Sequence, residues 1–224
     1  MPRIMIAFLF VVLSAAAGSA GQYWVAYEGN DLPENVGQTR VTSYGGGVRS
    51  FEDGALVLDT RASTGICDWY EMPLTGVPTG PDEFFVLEWR MRVDQLIGHQ
   101  DSAISVQAAG GWVAVFQVNP DVVQSAYAPQ LNAPLSPNDF HTFRVVSPDM
   151  RAYTLSVDGV YAFAGSFFDG LLPGECVAWG DGVQGGASLS RWDFVRFGVV
   201  PEPTTAPVLL VILSLGALAR TRGS

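Results

Sequence analysis

The sequence predicts an all-β domain, a sandwich or barrel of short strands, and three observations carry that expectation. Apolar residues alternate with polar ones at period two: across residues 84–93, Phe85, Leu87, Trp89, Met91 and Val93 fall on one face, while Glu88, Arg90 and Arg92 fall on the other. Glycine-rich turn signals separate such runs at intervals of about 8 to 12 residues, the spacing of a sandwich or barrel. Hydrophobic residues make up 48% of the chain against 15% charged, with 25 glycines. That balance excludes disorder and suits a packed domain with tight turns.

The chain opens on Met1-Pro2-Arg3, an apolar run over residues 4–13, and small residues over 14–20. This is the pattern of a secretory signal helix, with Gly18 and Ala20 placed for cleavage between Ala20 and Gly21. The run is too short to span a bilayer. The folded domain is therefore expected at 21–200, a length that supports one hydrophobic core. Within it, strands are expected at 55–59, 66–71 and 84–93. Residues 102–108 and 112–118 flank Ala109-Gly110-Gly111 as a hairpin. Further strands follow at 140–146, 153–157, 160–165 and 189–199, and Asp158-Gly159 joins two of them as a type I′ turn. No stretch between the terminal segments sustains a helical period.

The last segment, 201–224, reads Pro201-Glu202-Pro203, an apolar run over residues 206–219, and Arg220-Thr221-Arg222. It is expected to form an apolar helix whose basic end faces the cytoplasm. At 1.5 Å per residue about 14 residues reach roughly 21 Å, short of a ~30 Å bilayer core, so the helix suits a transient hold on the inner membrane better than a permanent anchor. The order of Pro-Glu-Pro, apolar helix and terminal arginines, with Pro201, Glu202, Pro203, Arg220 and Arg222 as its marks, resembles the PEP-CTERM sorting signal. That resemblance implies an exosortase-type membrane transpeptidase as partner, and delivery to the cell surface or extracellular matrix. An ordinary single-pass anchor is the alternative reading of the same residues.

All twelve basic residues are arginine. Nine of them lie in 21–200, against 21 carboxylates, a net charge of −12. Such a surface repels phosphate backbones and excludes nucleic-acid binding. Divalent cations and neutral polysaccharides remain compatible with it.

The segments 84–93, Phe140-His141-Thr142-Phe143 followed by Tyr153 to Val160 across Asp158-Gly159, and Ser190-Arg191-Trp192-Asp193-Phe194 together resemble the concanavalin A-like (laminin G-like) jelly roll. The resemblance implies a two-sheet jelly-roll sandwich whose last strand returns beside the first. Relatives of that fold include glycan-binding modules and retaining glucanases, so the resemblance speaks to architecture more than to activity.

Chemistry is harder to place. Retaining glycosidases need two carboxyl groups about 5–5.5 Å apart. No pair among the 22 acidic residues is spaced i, i+2 or i, i+4, so the expected reading is not an enzyme. A carbohydrate-active enzyme acting on exopolysaccharide, with carboxylates from separate strands, is the alternative. No Gly-x-Ser-x-Gly elbow occurs, and neither His99 nor His141 has a metal-spaced partner. Of six tryptophans, Trp89 reads as core, and Trp24 and Trp192 as structural. Trp69, Trp112 and Trp179 lie near strand ends or turns and are the candidate glycan contacts. Cys67 and Cys176 are expected to form a disulfide in an oxidising compartment, with two buried thiols as the alternative. A bridge there would gather Asp68, Glu175 and Asp181 into a possible structural calcium site; no other cofactor is implied.

Overall fold

The computed structural model describes residues 25–43, 45–62, 65–74, 76–98, 102–170, 174–181 and 186–201. The expected signal segment with its expected Ala20–Gly21 cleavage pair, and the expected sorting tail with Glu202, Pro203, Arg220 and Arg222, lie outside the described residues. The described part is all-β. In chain order the strands are β1 (Val25–Tyr27), β2 (Thr39–Ser43), β3 (Val48–Glu52), β4 (Ala55–Asp59), β5 (Cys67–Pro73), β6 (Glu83–Gly98), β7 (Ser102–Ala108) and β8 (Trp112–Val118). They continue with β9 (Val122–Ser125), β10 (Ala128–Pro134), β11 (His141–Ser147), β12 (Ala152–Val157), β13 (Val160–Ser166), β14 (Phe168–Asp169), β15 (Cys176–Asp181) and β16 (Gly186–Pro201).

These strands form two antiparallel sheets of eight. The back sheet runs β13-β12-β11-β6-β16-β4-β3, with β1 also on β16; the front sheet runs β10-β9-β8-β7-β15-β5-β2, with β14 also on β8. The long strands β6 and β16 pair from Gly98 opposite Gly186 to Glu83 opposite Pro201. The first strand does lie beside the last, with Val25 opposite Phe197. The β12–β13 turn has the positive φ angles a type I′ turn needs, 51° at Asp158 and 78° at Gly159.

The alternation read in 84–93 is the core-facing stripe of the back sheet. Phe85, Leu87, Trp89, Met91 and Val93 are each at most 2% exposed. They meet Ile104, Val106, Phe116 and Trp179 from the front sheet, all buried. Trp89 stacks on Phe143 with centroids 4.9 Å apart, and Trp179 lies between Tyr70 and Trp192, 4.8 Å from each. Truncating one such ring to alanine costs about 3–5 kcal/mol.

One end of this interior is polar. Asp68 and Asp181, both fully buried, sit opposite each other on β5 and β15. Asp68 accepts two hydrogen bonds from Arg40, through Nε at 2.8 Å and a terminal nitrogen at 2.5 Å, and a third from the Gly47 N–H at 2.8 Å. Asp181 accepts from the hydroxyls of Ser102 (3.0 Å), Ser190 (3.1 Å), Thr60 (3.2 Å) and Ser188 (2.5 Å). Hydroxyl donors from β7, β16 and the end of β4 satisfy this carboxylate where a cation would otherwise be required.

The expected disulfide is not formed; both cysteines are free. Each opens its strand, but β5 and β15 are antiparallel, so their starts lie at opposite ends. Cys176 pairs with Pro73, six residues from Cys67 along β5, about 20 Å at ~3.3 Å per residue. A bridge needs Cα atoms within about 7 Å.

Candidate functional site

Directly opposed residues on neighbouring strands project to the same side of a sheet. Ile104, Val106, Phe116, Tyr70 and Trp179 face the core, so their sequence neighbours face outward from the front sheet. The register aligns those neighbours into rows crossing the strands. One row runs Glu71, Ala178, Ser105, Val115. The next runs Trp69, Gly180, Ala103, Gln117, Gln124, Asn132. The central strands β15 and β7 therefore contribute only Gly, Ala and Ser to these rows, and form a low floor between larger flanking side chains. Gly180 has φ 132°, and a Cβ there would lie 2.6 Å from the Asp68 carbonyl oxygen and 2.8 Å from the Trp69 Cα. Only glycine lets β15 lie this close to β5.

Aromatic side chains border the floor on both sides. On β5, Trp69 is half-buried, and its indole N–H donates to the Glu71 carboxylate at 2.8 Å, which fixes the ring. Beyond β8, Tyr127 at the tip of the β9–β10 hairpin stacks on Phe168 of β14, with centroids 4.6 Å apart and planes 13° apart. These two rings remain 46% and 48% exposed. Amides complete the lining. Gln124 donates to Gln117 at 3.3 Å, and Gln107 lies between Val113 and Cys176 in the next row. Burial, and then the Glu71 carboxylate, push the Cys176 thiol up to about 11, so it stays protonated at neutral pH and is a poor nucleophile.

Charge is distributed unequally between the two outer faces. The back sheet's outer face carries a lattice of ion pairs: Arg90 with Asp193, Arg92 with Asp94 (2.7 Å), Arg144 with Glu88 (3.1 Å), Arg196 with Glu28 (2.5 Å), and Arg191 with Asp94 and Glu52 (2.6 Å each). The more exposed of these pairs, such as Arg196–Glu28, are solvated and contribute about 0–1 kcal/mol each. Among the described strand residues, Glu71 is the one charged side chain on the front sheet's outer face. Among the described strand residues no second carboxylate accompanies Glu71 on that face.

The candidate residues separate on this geometry. Trp69 lies on the outer face, as expected. Trp179 is 1% exposed and points into the core, where it donates to Gln38 at 2.8 Å, so it is not a surface contact. Trp112 is half-buried at the sandwich end, with the Arg151 guanidinium 3.9 Å above its ring. The calcium trio does not converge. Asp68 and Asp181 are opposed but already hold protein donors, while Glu175 is exposed next to Cys176 at the far end of β15. Among the described residues no group of three or more His, Cys, Asp or Glu is placed to hold a metal ion. The sequence reading missed Glu71, Ser105, Gln107, Gln117, Gln124, Tyr127 and Phe168. Only the Trp69-x-Glu71 spacing, which puts both on one strand face, could have pointed to the site.

No family model matches the chain, and no curated protein matches it. Solved structures do share its fold. One is the conserved carbohydrate esterase vb_24B_21 from Shiga toxin-encoding bacteriophage phi24B (TM-score 0.61, 12% identity, covering 81% of this chain and 100% of that one). Another is SCLam, a non-specific endo-beta-1,3(4)-glucanase from family GH16 (TM-score 0.54, 16% identity, 80% and 94% covered). A third is the carbohydrate recognition domain of Emp46p (TM-score 0.51, 11% identity, 79% and 97% covered). At these identities the likeness establishes the lectin-like and glucanase-like jelly-roll sandwich, and nothing finer.

Proposed function

We propose that this domain is a non-enzymatic glycan-associating module of the extracellular matrix, and that it holds its ligand on the outer face of the front sheet. The observation that carries this reading is the trough itself. A small-residue floor, an indole fixed by Glu71, and an exposed Tyr127–Phe168 stack lie together on a face whose one charged strand residue is Glu71. Aromatic faces bind the apolar faces of sugar rings, and amide and hydroxyl groups pair with their hydroxyls. The carbohydrate-related structural neighbours support the same reading. The end-to-end order of signal segment, domain, Pro201-Glu202-Pro203, apolar run and arginines supports export and exosortase sorting.

A carbohydrate-active enzyme is the second reading, and the same neighbours include a glucanase. The lone Glu71 argues against it, because both retaining and inverting hydrolysis use two carboxyl groups. Native electrophoresis through gels containing dissolved polysaccharide, with a reducing-sugar assay on the same polymers, tests both readings. The expected result is retardation without sugar release. Release that disappears in Glu71→Gln would establish the enzyme instead.

A further inference from the structure

We propose that the front face takes an uncharged polysaccharide chain laid across the strands over about four sugar units, with the Tyr127–Phe168 stack as a second aromatic subsite opposite Trp69. This inference rests on the glycan-binding reading above and adds the ligand's charge class, direction and length.

Length and direction come from the register. The row Glu71, Ala178, Ser105, Val115 crosses β5, β15, β7 and β8, and the hairpin tip carrying Tyr127 lies next, because the Ala126 N–H donates to the Val115 carbonyl at 2.9 Å. That is four inter-strand spacings, about 19 Å at ~4.8 Å each, the length of roughly four pyranose units. Between Glu71 and the Tyr127 tip that row holds only Ala178, Ser105 and Val115, and Trp69 stands beside Glu71 in the next row.

The far border is held by backbone. Phe168 is opposite Val113 in the two-residue strand β14 and so projects to the outer face. The Gly170 N–H donates to the Gly111 carbonyl at 2.8 Å, and a Cβ on Gly111 would lie 2.9 Å from the Gly170 oxygen. This close glycine contact clamps β14 to the start of β8 and keeps Phe168 beneath Tyr127. Two rings fixed in a stack while half exposed form an aromatic platform at this border.

Charge selects the ligand class. Six of the domain's nine arginines, Arg61, Arg90, Arg92, Arg144, Arg191 and Arg196, are paired with acids on or beside the back sheet. Arg40 and Arg49 point between the sheets, and Arg151 covers Trp112. A uronate or sulfate group on the trough would meet Glu71 with no cation to balance it. Neutral sugars meet the amides of Gln117 and Gln124 and the Ser105 hydroxyl at no such cost.

The test uses the purified full-length chain. Native gels containing β-1,3-glucan, β-1,4-glucan, galactomannan, dextran or polygalacturonate identify the retarding polymer, and calorimetry follows with its dimer to hexamer. Retardation by a neutral polymer is expected, with affinity rising up to about four units and then levelling. In Tyr127→Ala/Phe168→Ala the gain from dimer to hexamer should shrink by about five- to tenfold, the order of one aromatic contact. Tyr127→Phe should keep the gain. Tyr161→Ala, a still more exposed ring on the other sheet, should also leave it unchanged. Wild-type length dependence in the folded double variant overturns the second subsite and leaves the glycan reading standing. Preferential retardation by polygalacturonate overturns the neutral class. No retardation by any polymer overturns the glycan reading and the subsite with it.

Discussion

Replacing Arg40 by alanine should unfold the domain at a markedly lower temperature, and the size of the effect follows from Asp68. That carboxylate is fully buried, and of its three hydrogen bonds Arg40 supplies two. Without the guanidinium, a buried negative charge keeps one backbone donor, from Gly47. Breaking a buried ion pair from one side costs about 3–5 kcal/mol. The Arg40 side chain is itself 22% exposed, so water reaches the vacated space and the lower end, about 3 kcal/mol, is the better figure. For a domain of this size each kcal/mol moves the melting temperature by about 2–4 °C, so a fall of roughly 6–12 °C is expected. Asp68→Asn should cost less, because the charge left behind is the partly solvated arginine. The apolar double variant Arg40→Met/Asp68→Leu should recover most of the loss, since removing both charges also removes their desolvation penalty. Thermal unfolding followed by near-ultraviolet circular dichroism measures all three. A fall below about 2 °C in Arg40→Ala, or a double variant no more stable than the single, would refute the reasoning.

Two further outcomes are expected. His141 has acceptors on both ring nitrogens, the Asp158 carboxylate at 2.7 Å and the Ser136 carbonyl at 3.0 Å. Burial opposes the imidazolium, but these bonds outweigh it and raise the His141 pKa above its ordinary value. This stabilisation is therefore complete below about pH 6.5 and is lost as pH rises through the raised folded value; NMR titration of the ring should show that value, and His141→Gln should flatten the loss. Alkylation of the unreduced protein should label neither cysteine quickly in the native state and two thiols per chain after denaturation. Fewer than two after denaturation would mean that the strands do not pair in the register described.

The strands that carry the core were legible because their burial alternates. In β7 and β8 the expected bounds coincide with the observed ones, and in β6 the stripe from Phe85 to Val93 is the core face. The edge strands β2, β3 and β10, and β9 next to β10, were not legible. An edge strand buries little and has no pattern to keep: β3 leaves Val48 at 69% and Phe51 at 44% exposed, and β10 holds prolines that a central strand would exclude. The extent of β16 was underestimated because Gly186 and Ser188 lack β propensity, although both are buried against β6. At the site, Trp69 could be singled out alone, but its neighbours could not. Glu71, Ser105, Gln117 and Tyr127 come together only through register, which no local pattern encodes. Trp179 was misread because Gly180 looked like a turn, whereas that glycine lies inside a strand pressed against β5. The cysteines were misread for a related reason: two strand starts are neighbours only in parallel pairing.

The position of β16 has a consequence for the order of events during synthesis. The last strand of the domain sits at the middle of the back sheet, with β6 on one side and β4 and β1 on the other. About 160 residues separate β1 from β16, roughly 8–32 s of translation at ~5–20 residues per second. Until β16 emerges, β4 and β6 cannot close on each other, and their apolar stripes wait without a neighbour. The domain cannot complete itself from its first end, and its dependence on such distant pairing makes closure slow as well as late. A nascent chain that stops only sixteen residues short loses the centre of a sheet, not its margin. Whatever accompanies this polypeptide during synthesis has to keep the unfinished sheet from associating with others until the final segment arrives.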